Sequence, residues 1–250
     1  MLKHIAIAAT AAWLAAAPAS AFDISDMTAA ERQAFRDEVR SYLLENPELL
    51  VEVISILEQR QAEAQAQGDS GLIATHAAAI FDDGFSYVGG NADGDITVVE
   101  FLDYRCGYCR KSHPEVAELL SGDGNIRFIV KEFPILGEES TMASRFAIST
   151  KMNAGDEAYL AVHDALMTDT GRITEGRLRR LAQSLDLDAD DIVDGMQHPE
   201  IDKMLQTNYA LAQALRITGT PGFVIGETML RGYAPLDVMQ AMVAEERKNQ

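Results

Sequence analysis

The chain has 250 residues, a formal net charge of −18, a hydrophobic fraction of 47% and two cysteines. The acidic balance argues against nucleic acid or an anionic membrane surface as a partner. The length allows one sizeable domain and a smaller appendage, and the hydrophobic fraction is ample for a buried core.

The first 21 residues have the pattern of a secretory signal peptide. Lys3 supplies a positive charge, an apolar run extends from Ile5 to Ala17, and Ala19-Ser20-Ala21 forms a small-residue cleavage site. The run is too short to span a membrane as a helix. We therefore expect a mature chain that begins at Phe22 and is exported to an oxidising compartment, the periplasm.

Two helices are predicted in the segment that follows. Thr28 and Glu31 have the spacing of a capping box at the start of the first helix. The second helix is predicted to begin with Asn46 as its cap and Pro47 at its first helical position. Its apolar side chains form a face wider than a single stripe, and they are Leu49, Leu50, Val53, Ile54, Ile56 and Leu57.

A polar stretch from Glu58 to Gly71 comes next, and it cannot cover this apolar face. Its composition predicts an exposed helix that ends in a flexible joint at Gly68–Gly71, before a further short helix at 72–81. We predict that the chain associates with itself through residues 28–66 to form a closed homo-oligomer. The alternative is that these helices fold back onto the main domain, as helices of one chain commonly do.

The main domain begins with the pattern of a βαβ unit. An edge strand is predicted around Phe85–Val88, a buried strand at Thr97–Leu102, a helix at Lys111–Leu120 and a second core strand at Ile126–Phe133. A strand, a helix and a strand in this order predict parallel core strands with a right-handed crossover. The fold class is therefore predicted to be α/β.

Helix signals dominate residues 138–216 and predict a helical insertion. A turn at Thr218–Gly222 then leads into a hairpin that contains Phe223–Ile225 and Met229-Leu230. An amphipathic helix from Pro235 to Lys248 closes the chain.

The two cysteines, Cys106 and Cys109, lie between the first core strand and the helix that follows it. This position places Cys106 beside the unpaired backbone N–H groups and the positive end of the helix dipole. Both of these favour a thiolate over a thiol. The position is therefore that of a reactive cysteine.

Three other interpretations of the pair are open. A purely structural disulfide would stabilise the fold only weakly, because closing so small a ring contributes about 2 kcal/mol to the free energy of unfolding, against roughly 3 to 5 kcal/mol for longer loops. A metal site built from Cys106, Cys109 and His113 lacks the second Cys pair or the His-x-x-x-His run that would complete a zinc shell. The cysteines could also be inert core residues. The spacing favours redox chemistry over all three.

Several motifs in a fixed order resemble the DsbA-type family of exported thiol-disulfide oxidoreductases, which have a thioredoxin fold. The similarity runs from about Tyr87 to the C-terminus. A shorter stretch, Tyr42–Leu49 followed by Leu57–Gln61, resembles the N-terminal segment of ScsC-type members, which associate through these helices. The motifs of the longer similarity are Val99-Glu100-Phe101, Tyr104, Cys106-Gly107-Tyr108-Cys109, the helical insertion and Thr218-Gly219-Thr220-Pro221.

The signal-peptide pattern, the helical segment and the resemblance together divide the chain into three parts. Residues 1–21 would be the signal peptide, and residues 22–80 a helical oligomerisation segment and linker. Residues 81–250 would be a thioredoxin-like catalytic domain with the helical insertion at about 138–216.

The resemblance also implies roles for individual residues. Cys106 would be the exposed nucleophile and Cys109 the more buried resolving thiol, so the cofactor is their redox-active disulfide and no metal is expected. Pro221 falls at the family's cis-proline, which faces the active site, and the backbone of Thr220 could pair with an extended substrate strand. The Gly107-Tyr108 dipeptide between the cysteines would tune the stability of the thiolate.

Glu100 falls where the family has a buried acid that helps to move a proton to or from the resolving thiol. Lys131 on the neighbouring strand is predicted as its counter-charge, because a buried carboxylate without a partner is costly. The alternative is that both side chains reach solvent at a sheet edge. His113, one helical turn beyond Cys109, is predicted to be a surface or packing residue rather than a base.

Two functions follow for such an enzyme, and a third comes from another class. A disulfide isomerase or reductase must stay reduced and gains from several active sites around one misfolded substrate. A DsbA-like oxidase donates its disulfide and works as a monomer. The association helices and Thr220, which resembles isomerase members, favour the isomerase. A chaperone or copper-handling protein would instead use Cys106 and Cys109 as soft ligands.

The expected partners of a redox enzyme of this kind are proteins. They are unfolded or misdisulfided exported proteins as substrates, and a membrane thiol-disulfide redox partner that resets the cysteine pair. Further copies of the chain are expected through residues 28–66, and nucleic acid is not expected.

Overall fold

The structure, a computed structural model, describes residues 26–249. The predicted signal peptide at 1–21 lies outside the described residues. The chain divides into two compact units, one that ends at Gln59 and a second that begins at Arg60. Within residues 26–249, no helix combines the length and the apolar composition that a membrane span requires.

The first unit contains helix α1 (Ala29–Glu45) and the beginning of helix α2 (Glu48–Phe81). The predicted capping box is confirmed. The backbone N–H of Glu31 donates to the Thr28 hydroxyl, and the backbone N–H of Thr28 donates to the Glu31 carboxylate at 2.9 Å.

The predicted start of the second helix is wrong by one residue. Asn46 belongs to the end of α1, because its side-chain amide donates to the Tyr42 carbonyl oxygen at 2.8 Å. Helix α2 then begins at Glu48 rather than at Pro47.

No side chain is buried in the described part of the first unit. Ten large apolar side chains there are each at least 41% exposed, so the described residues of this unit form no buried core. Monomeric soluble proteins rarely leave a contiguous apolar surface of this kind open. The ten side chains are Phe35, Val39, Tyr42, Leu44, Leu50, Val51, Val53, Ile54, Ile56 and Leu57.

Helix α2 continues to Phe81 without a break, so the predicted joint at Gly68–Gly71 and the separate helix at 72–81 are wrong. Glycine in a helix costs about 1 kcal/mol relative to alanine, and contacts with the rest of the second unit offset this cost. The Arg231 guanidinium donates to both oxygens of Asp69 at 2.7 and 2.8 Å, and Ile73 is buried. The division between the units therefore precedes the predicted domain start at residue 81.

The second unit is built on a five-stranded mixed sheet. The two central strands, β2 and β3, are parallel, and the other neighbouring pairs are antiparallel. The predicted βαβ unit, edge strand and hairpin are confirmed. In chain order the strands are β1 (Tyr87–Gly90), β2 (Ile96–Leu102), β3 (Ile126–Glu132), β4 (Gly222–Ile225) and β5 (Thr228–Arg231), and across the sheet they run β1-β3-β2-β4-β5.

Six helices of the second unit follow in the chain after α2. One helix joins β2 to β3, four form the predicted insertion between β3 and β4, and one follows β5. In order they are α3 (Gly107–Asp123), α4 (Glu138–Thr168), α5 (Glu175–Ser184), α6 (Ala189–Gly195), α7 (Pro199–Ala214) and α8 (Leu236–Lys248). Within α4, Gly155 has a φ of 85°, which glycine adopts without strain, and the helix is kinked there.

Strand β2 sends alternate side chains into two hydrophobic cores. Val98 and Leu102 pack in the core that contains residues of α3, α4 and α8, whereas Val99 and Phe101 pack in the core that contains the end of α2 and residues of α7. Glu100 is in step with Val98 and Leu102. Its carboxylate therefore lies on the same side of the sheet as the cysteines, which belong to the first of these cores.

The prediction that Lys131 neutralises Glu100 is wrong. In the parallel register Glu100 pairs with Val130, so Lys131 is one residue out of step and lies on the opposite face of the sheet. There its Nζ donates to the Ala79 carbonyl oxygen at 2.9 Å and forms an ion pair with Asp83. Glu100 and Lys131 are only 3% and 0% exposed, so the alternative that both reach solvent is wrong as well.

Candidate active site

The two cysteines lie at the start of α3. Cys106 is the N-cap residue of this helix, and Cys109 lies in its first turn. A turn in which the Cys106 N–H donates to the Asp103 carbonyl oxygen at 3.0 Å links them to the end of β2. Both cysteines are free thiols. Cys106 is 7% exposed and Cys109 is 0% exposed, so Cys106 is the more accessible sulfur although most of it is covered.

The environment of Cys106 stabilises its thiolate and lowers its pKa from 9.0 to about 5. The largest cause is the hydrogen bond with the Cys109 side chain. The Thr220 side chain and the backbone N–H groups of Cys109 and Tyr108 act in the same direction, and burial opposes them. These N–H groups belong to the first turn of a helix, where they have no partner within the helix.

Cys109 responds in the opposite way. Its hydrogen bond with Cys106 raises its pKa well above the ordinary value, and burial and the charge of Glu100 raise it further. The pair therefore consists of one activated thiolate and one thiol that holds its proton.

We expect the alkylation rate of reduced Cys106 to follow its thiolate fraction. Because its pKa is about 5, the rate should rise through pH 5 and level off below neutral pH, where a thiol of pKa 9.0 would still be protonated. The measurement is the initial rate of iodoacetamide labelling at Cys106 as a function of pH. In Cys109→Ala, which lacks the strongest hydrogen bond to the sulfur, the midpoint should move upward. A wild-type midpoint near the ordinary thiol value of about 8.5 would contradict this assignment.

The loop before β4 lies against the nucleophile. The peptide bond between Thr220 and Pro221 is cis, as the family resemblance implies. The Cys106 thiol donates to the Thr220 carbonyl oxygen at 3.1 Å, and the Pro221 carbonyl oxygen accepts from the Gly232 N–H at 2.9 Å. The main chain on both sides of the cis bond is thereby held at the active site.

Glu100 is a buried acid that interacts with both cysteines. Burial and, secondly, the charge of Cys106 raise its pKa to about 8, and its own charge raises the pKa of Cys109. Its Oε1 has no hydrogen-bond partner among the described residues. Glu100 also lines a cavity of about 360 Å³. A protonated Glu100 is therefore favoured near neutral pH whenever Cys106 is a thiolate.

Asp103 is a structural residue of the site that sequence reasoning missed. Its carboxylate accepts from the Arg105 N–H at 2.7 Å and from the N–H groups of Ile135 and Leu136 at 2.8 and 3.0 Å. It therefore ties the turn before Cys106 to the loop after β3. The sequence does contain a sign of this role: Asp103 directly follows a buried strand, and a carboxylate in such a place needs hydrogen-bond partners.

A second buried acid, Glu132, ends β3. It accepts hydrogen bonds from the hydroxyls of Tyr104 and Tyr159, each at 2.7 Å, and from Ser144 at 2.6 Å. Burial raises its pKa to about 7, although these three hydrogen bonds oppose the shift. The Tyr104 hydroxyl also lies 3.2 Å from Nδ1 of His163, an imidazole whose pKa burial lowers to about 3.

The Gly107-Tyr108 dipeptide lies on the surface between the cysteines. A Cβ at Gly107 would meet no atom within 4 Å, so this position is open to solvent. Tyr108 is 62% exposed, and its ring centroid lies 6.1 Å from that of Tyr233. The Lys111 Nζ lies 4.0 Å from the Tyr233 ring centroid. An aromatic and basic surface thus lies next to the nucleophile.

His113 is directed away from the two cysteines that could have shared a metal with it. Its Nε2 lies 3.3 Å from Oδ1 of Asp164, and its ring packs edge-on against His163 with centroids 5.2 Å apart. Burial lowers the pKa of His113, and the charge of Asp164 opposes this shift. In the described part of the chain, the group of three side chains able to hold a metal consists of His113, His163 and Asp164, without either cysteine.

Two family models match the chain. Residues 97–244 match the one described as the DSBA-like thioredoxin domain, and residues 31–64 match the one described as the N-terminal domain of copper resistance protein ScsC. Together the two matches cover the cysteines, the cis-proline and the exposed apolar helices.

Two solved structures resemble the chain over most of their length. A thioredoxin-like oxidoreductase from Silicibacter pomeroyi is 37% identical with a TM-score of 0.64, and the match covers 68% of this chain and 97% of that chain. ScsC from Proteus mirabilis in a transitional conformation is 28% identical with a TM-score of 0.65, and the match covers 91% and 100%.

A curated relative of much greater length matches the same region. The Na(+)/H(+) antiporter NhaA 1 from Salinispora arenicola is 27% identical over 158 residues, which are 63% of this chain. The match covers 24% of the antiporter, so the chain spans about a quarter of this relative's length.

Proposed function

The chain belongs to the DSBA-like thioredoxin family, and from this premise we propose that it is an exported protein disulfide isomerase and reductase. The choice of isomerase rests on the first unit, whose ten large apolar side chains are each at least 41% exposed among the described residues. An isomerase gains from holding several active sites together, whereas an oxidase that works alone has no use for such a surface.

The proposed chemistry begins with the Cys106 thiolate. It attacks one sulfur of a substrate disulfide, the substrate S–S bond breaks, and the second substrate sulfur leaves as a thiolate. Cys106 is then joined to the substrate in a mixed disulfide. The thiolate form of Cys106 is stabilised near pH 5 and above, so attack requires no further base at neutral pH.

Two outcomes are open to the mixed disulfide. When another substrate thiolate attacks the substrate sulfur bound to Cys106, the substrate leaves with a rearranged disulfide and no net oxidation. When the Cys109 thiolate attacks the Cys106 sulfur, the substrate leaves as a dithiol and the protein retains the Cys106–Cys109 disulfide. In the second case two electrons pass to the substrate, and the proposed membrane thiol-disulfide partner must reduce the disulfide again.

Glu100 is the proposed proton acceptor for the resolving step. Cys109 must lose a proton before it can attack, and its pKa is raised by Cys106, by burial and by Glu100. Oε1 of Glu100 has no hydrogen-bond partner among the described residues. The charge of Cys106 contributes to the raised pKa of Glu100, and this contribution is absent in the mixed disulfide because Cys106 then carries no charge. In that state the carboxyl group ionises more readily and can accept the Cys109 proton. The cavity that Glu100 lines gives that proton a route for exchange with water.

Broad substrate binding is supported by the surface around Cys106. The Thr220 backbone, whose carbonyl oxygen lies 3.1 Å from the Cys106 sulfur, is proposed to pair with an extended chain, a mode in which main-chain hydrogen bonds give affinity without a strict sequence. Tyr108 and Tyr233 offer an aromatic surface beside it. Such a surface fits unfolded or misdisulfided exported proteins.

Self-association is proposed to occur through residues 28–66. The family match at residues 31–64 covers the exposed side chains of α1 and of the beginning of α2. Burial of such side chains between copies would supply the cover that the single chain lacks. The proposed organisation is a signal peptide at 1–21, an association segment that contains the first unit, and a catalytic domain formed by the second unit, which begins at Arg60 and acts in the periplasm.

We expect the mature protein, kept in a glutathione buffer, to reactivate a scrambled disulfide-containing enzyme faster than the buffer alone. The measurement is recovered enzyme activity over time. A reduced peptide with two cysteines serves as the second substrate, and its oxidation reports oxidase activity. Fast peptide oxidation without reactivation would contradict the isomerase. It would favour the second candidate, a DsbA-like oxidase, because a stabilised Cys106 thiolate also makes the disulfide a strong oxidant.

A further inference from the structure

We infer that His113, His163 and Asp164 form a binding site for a divalent transition-metal ion of the Zn²⁺ class, separate from the cysteine pair. One ligand atom from each of the three side chains lies within 4.8 Å of the others. His113 comes from α3, and the other two residues are consecutive in α4. Two imidazole nitrogens and a carboxylate oxygen are a donor set that zinc accepts, with a fourth position left open.

The spacing of two of the ligand atoms already matches a bound ion. Zinc binds imidazole nitrogen and carboxylate oxygen at about 2.0–2.2 Å, and a tetrahedral angle then separates the two ligand atoms by about 3.3–3.5 Å. The His113 Nε2 and the Asp164 Oδ1 are 3.3 Å apart. A metal ion can therefore replace the proton between them without any movement of the helices. The three ligand atoms lie within 4.8 Å of one another, so binding requires only small adjustments of the side chains.

The hydrogen bond of His163 prepares the ring for metal binding. The Tyr104 hydroxyl has one hydrogen, and it donates this hydrogen to Glu132 at 2.7 Å. Towards His163 the Tyr104 oxygen can then only accept, so Nδ1 carries the ring hydrogen at 3.2 Å and Nε2 keeps its lone pair. Metal-binding histidines in proteins are oriented by a hydrogen bond of this kind from the second ring nitrogen.

An independent feature, the cavity of about 360 Å³, adjoins the cluster. His113, His163 and Asp164 all line it, which leaves space for a water molecule or a small anion at the open coordination position. Glu100 lines the same cavity, and its buried Oε1 has no partner among the described residues. A buried carboxyl oxygen without a protein partner is usually satisfied by water or an ion, and the cavity beside Oε1 has room for either. The arrangement is that of an open site rather than a closed structural one.

The full mature protein in its oxidised form provides the test, because its disulfide removes both thiols as ligands. In calorimetric titration with Zn²⁺ we expect one equivalent to bind per chain. With Co²⁺ as the probe we expect visible d–d bands without a thiolate-to-cobalt charge-transfer band. His113→Gln and Asp164→Asn alter partly exposed side chains, and each should lower the affinity by about tenfold or more.

Two further variants separate a metal site from general damage. Tyr104→Phe leaves all three ligands in place but removes the hydroxyl that orients His163, and we expect about a tenfold loss of affinity. His76→Gln removes a histidine outside the cluster and should leave the affinity unchanged.

Three results would overturn the inference. The oxidised protein could bind no Zn²⁺, the affinity could be indifferent to both His113→Gln and Asp164→Asn, or binding could be confined to the reduced protein with a charge-transfer band. The last result would place the metal on Cys106 and Cys109.

Discussion

Replacement of Cys106 by alanine is expected to abolish disulfide exchange, with a fall in turnover on the order of 10³-fold or more. Cys106 is the thiol whose pKa is lowered to about 5, whereas Cys109 is fully buried with a raised pKa and cannot take its place. The measurements are reactivation of a scrambled enzyme and reduction of a small peptide disulfide. Retained turnover in Cys106→Ala would reject the assignment of the nucleophile.

Cys109→Ala is the informative companion of this variant. It leaves Cys106 able to attack but removes the resolving thiol, so a mixed disulfide with the substrate should accumulate and be visible by mass spectrometry. Glu100→Gln preserves the shape of the side chain but cannot accept a proton. It should slow release of this mixed disulfide by about 10²-fold, as loss of a positioned general base does. Unchanged release in Glu100→Gln would refute the proposed proton role.

The features of the site that follow from local pattern could be read from the sequence. A β-branched strand, a tight turn and a helix fix Cys106 at a helix N-terminus, and its position there as the N-cap residue supplies the N–H groups that stabilise a thiolate. The order of strands and helices likewise defines the βαβ unit and its parallel pair.

The features that depend on register or on distant contacts could not be read in this way. The neighbouring positions of the two strands predict that Lys131 pairs with Glu100, yet a shift of one residue in register places Lys131 on the other face of the sheet. The break at Gly68–Gly71 follows from local propensity, which the pairing of Asp69 with Arg231, 162 residues away, overrides.

The metal-capable cluster was missed for the same reason. In the sequence, His113 is close only to Cys109 of its own helix. In the structure, His163 and Asp164 of α4 contact it. No periodic pattern links residues on two helices whose contact depends on how both pack against the sheet. A histidine and an aspartate in consecutive positions of α4 were the only local sign.

Charged substitutions in α2 are expected to dissociate the proposed assembly into single chains and thereby to reduce isomerase activity. Val53 and Leu57 lie on the same helix and are 60% and 53% exposed in the single chain. Full burial of such a side chain is worth about 1.5–3 kcal/mol, so covering the fraction still exposed would contribute about 0.8–1.8 kcal/mol. Loss of one side chain alone would then weaken association by about four- to twentyfold. Val53→Glu and Leu57→Glu add the cost of burying a carboxylate. Sedimentation velocity across micromolar concentrations measures the subunit number.

Ser55→Glu is the matched control, because it adds the same charge to the same helix in line with Glu48, Glu52 and Gln59, on its polar stripe. It should leave the assembly intact. In the two apolar-face variants, reactivation of the scrambled enzyme should fall by about tenfold or more, since active sites held together act at a high effective concentration. Labelling of Cys106 and reduction of a small peptide should remain unchanged, because the thiol site lies in the second unit.

This separation of two activities distinguishes the proposed isomerase from an oxidase with an unrelated N-terminal segment. A wild-type protein that sediments as a monomer would reject self-association through residues 28–66. If the variants become monomeric but still reactivate the scrambled enzyme, the proposed assembly stands but its role in isomerisation is rejected. We expect the variants to lose reactivation while Cys106 chemistry stays intact. This result would support both self-association and its role in isomerisation, because only the number of active sites around the substrate has then changed.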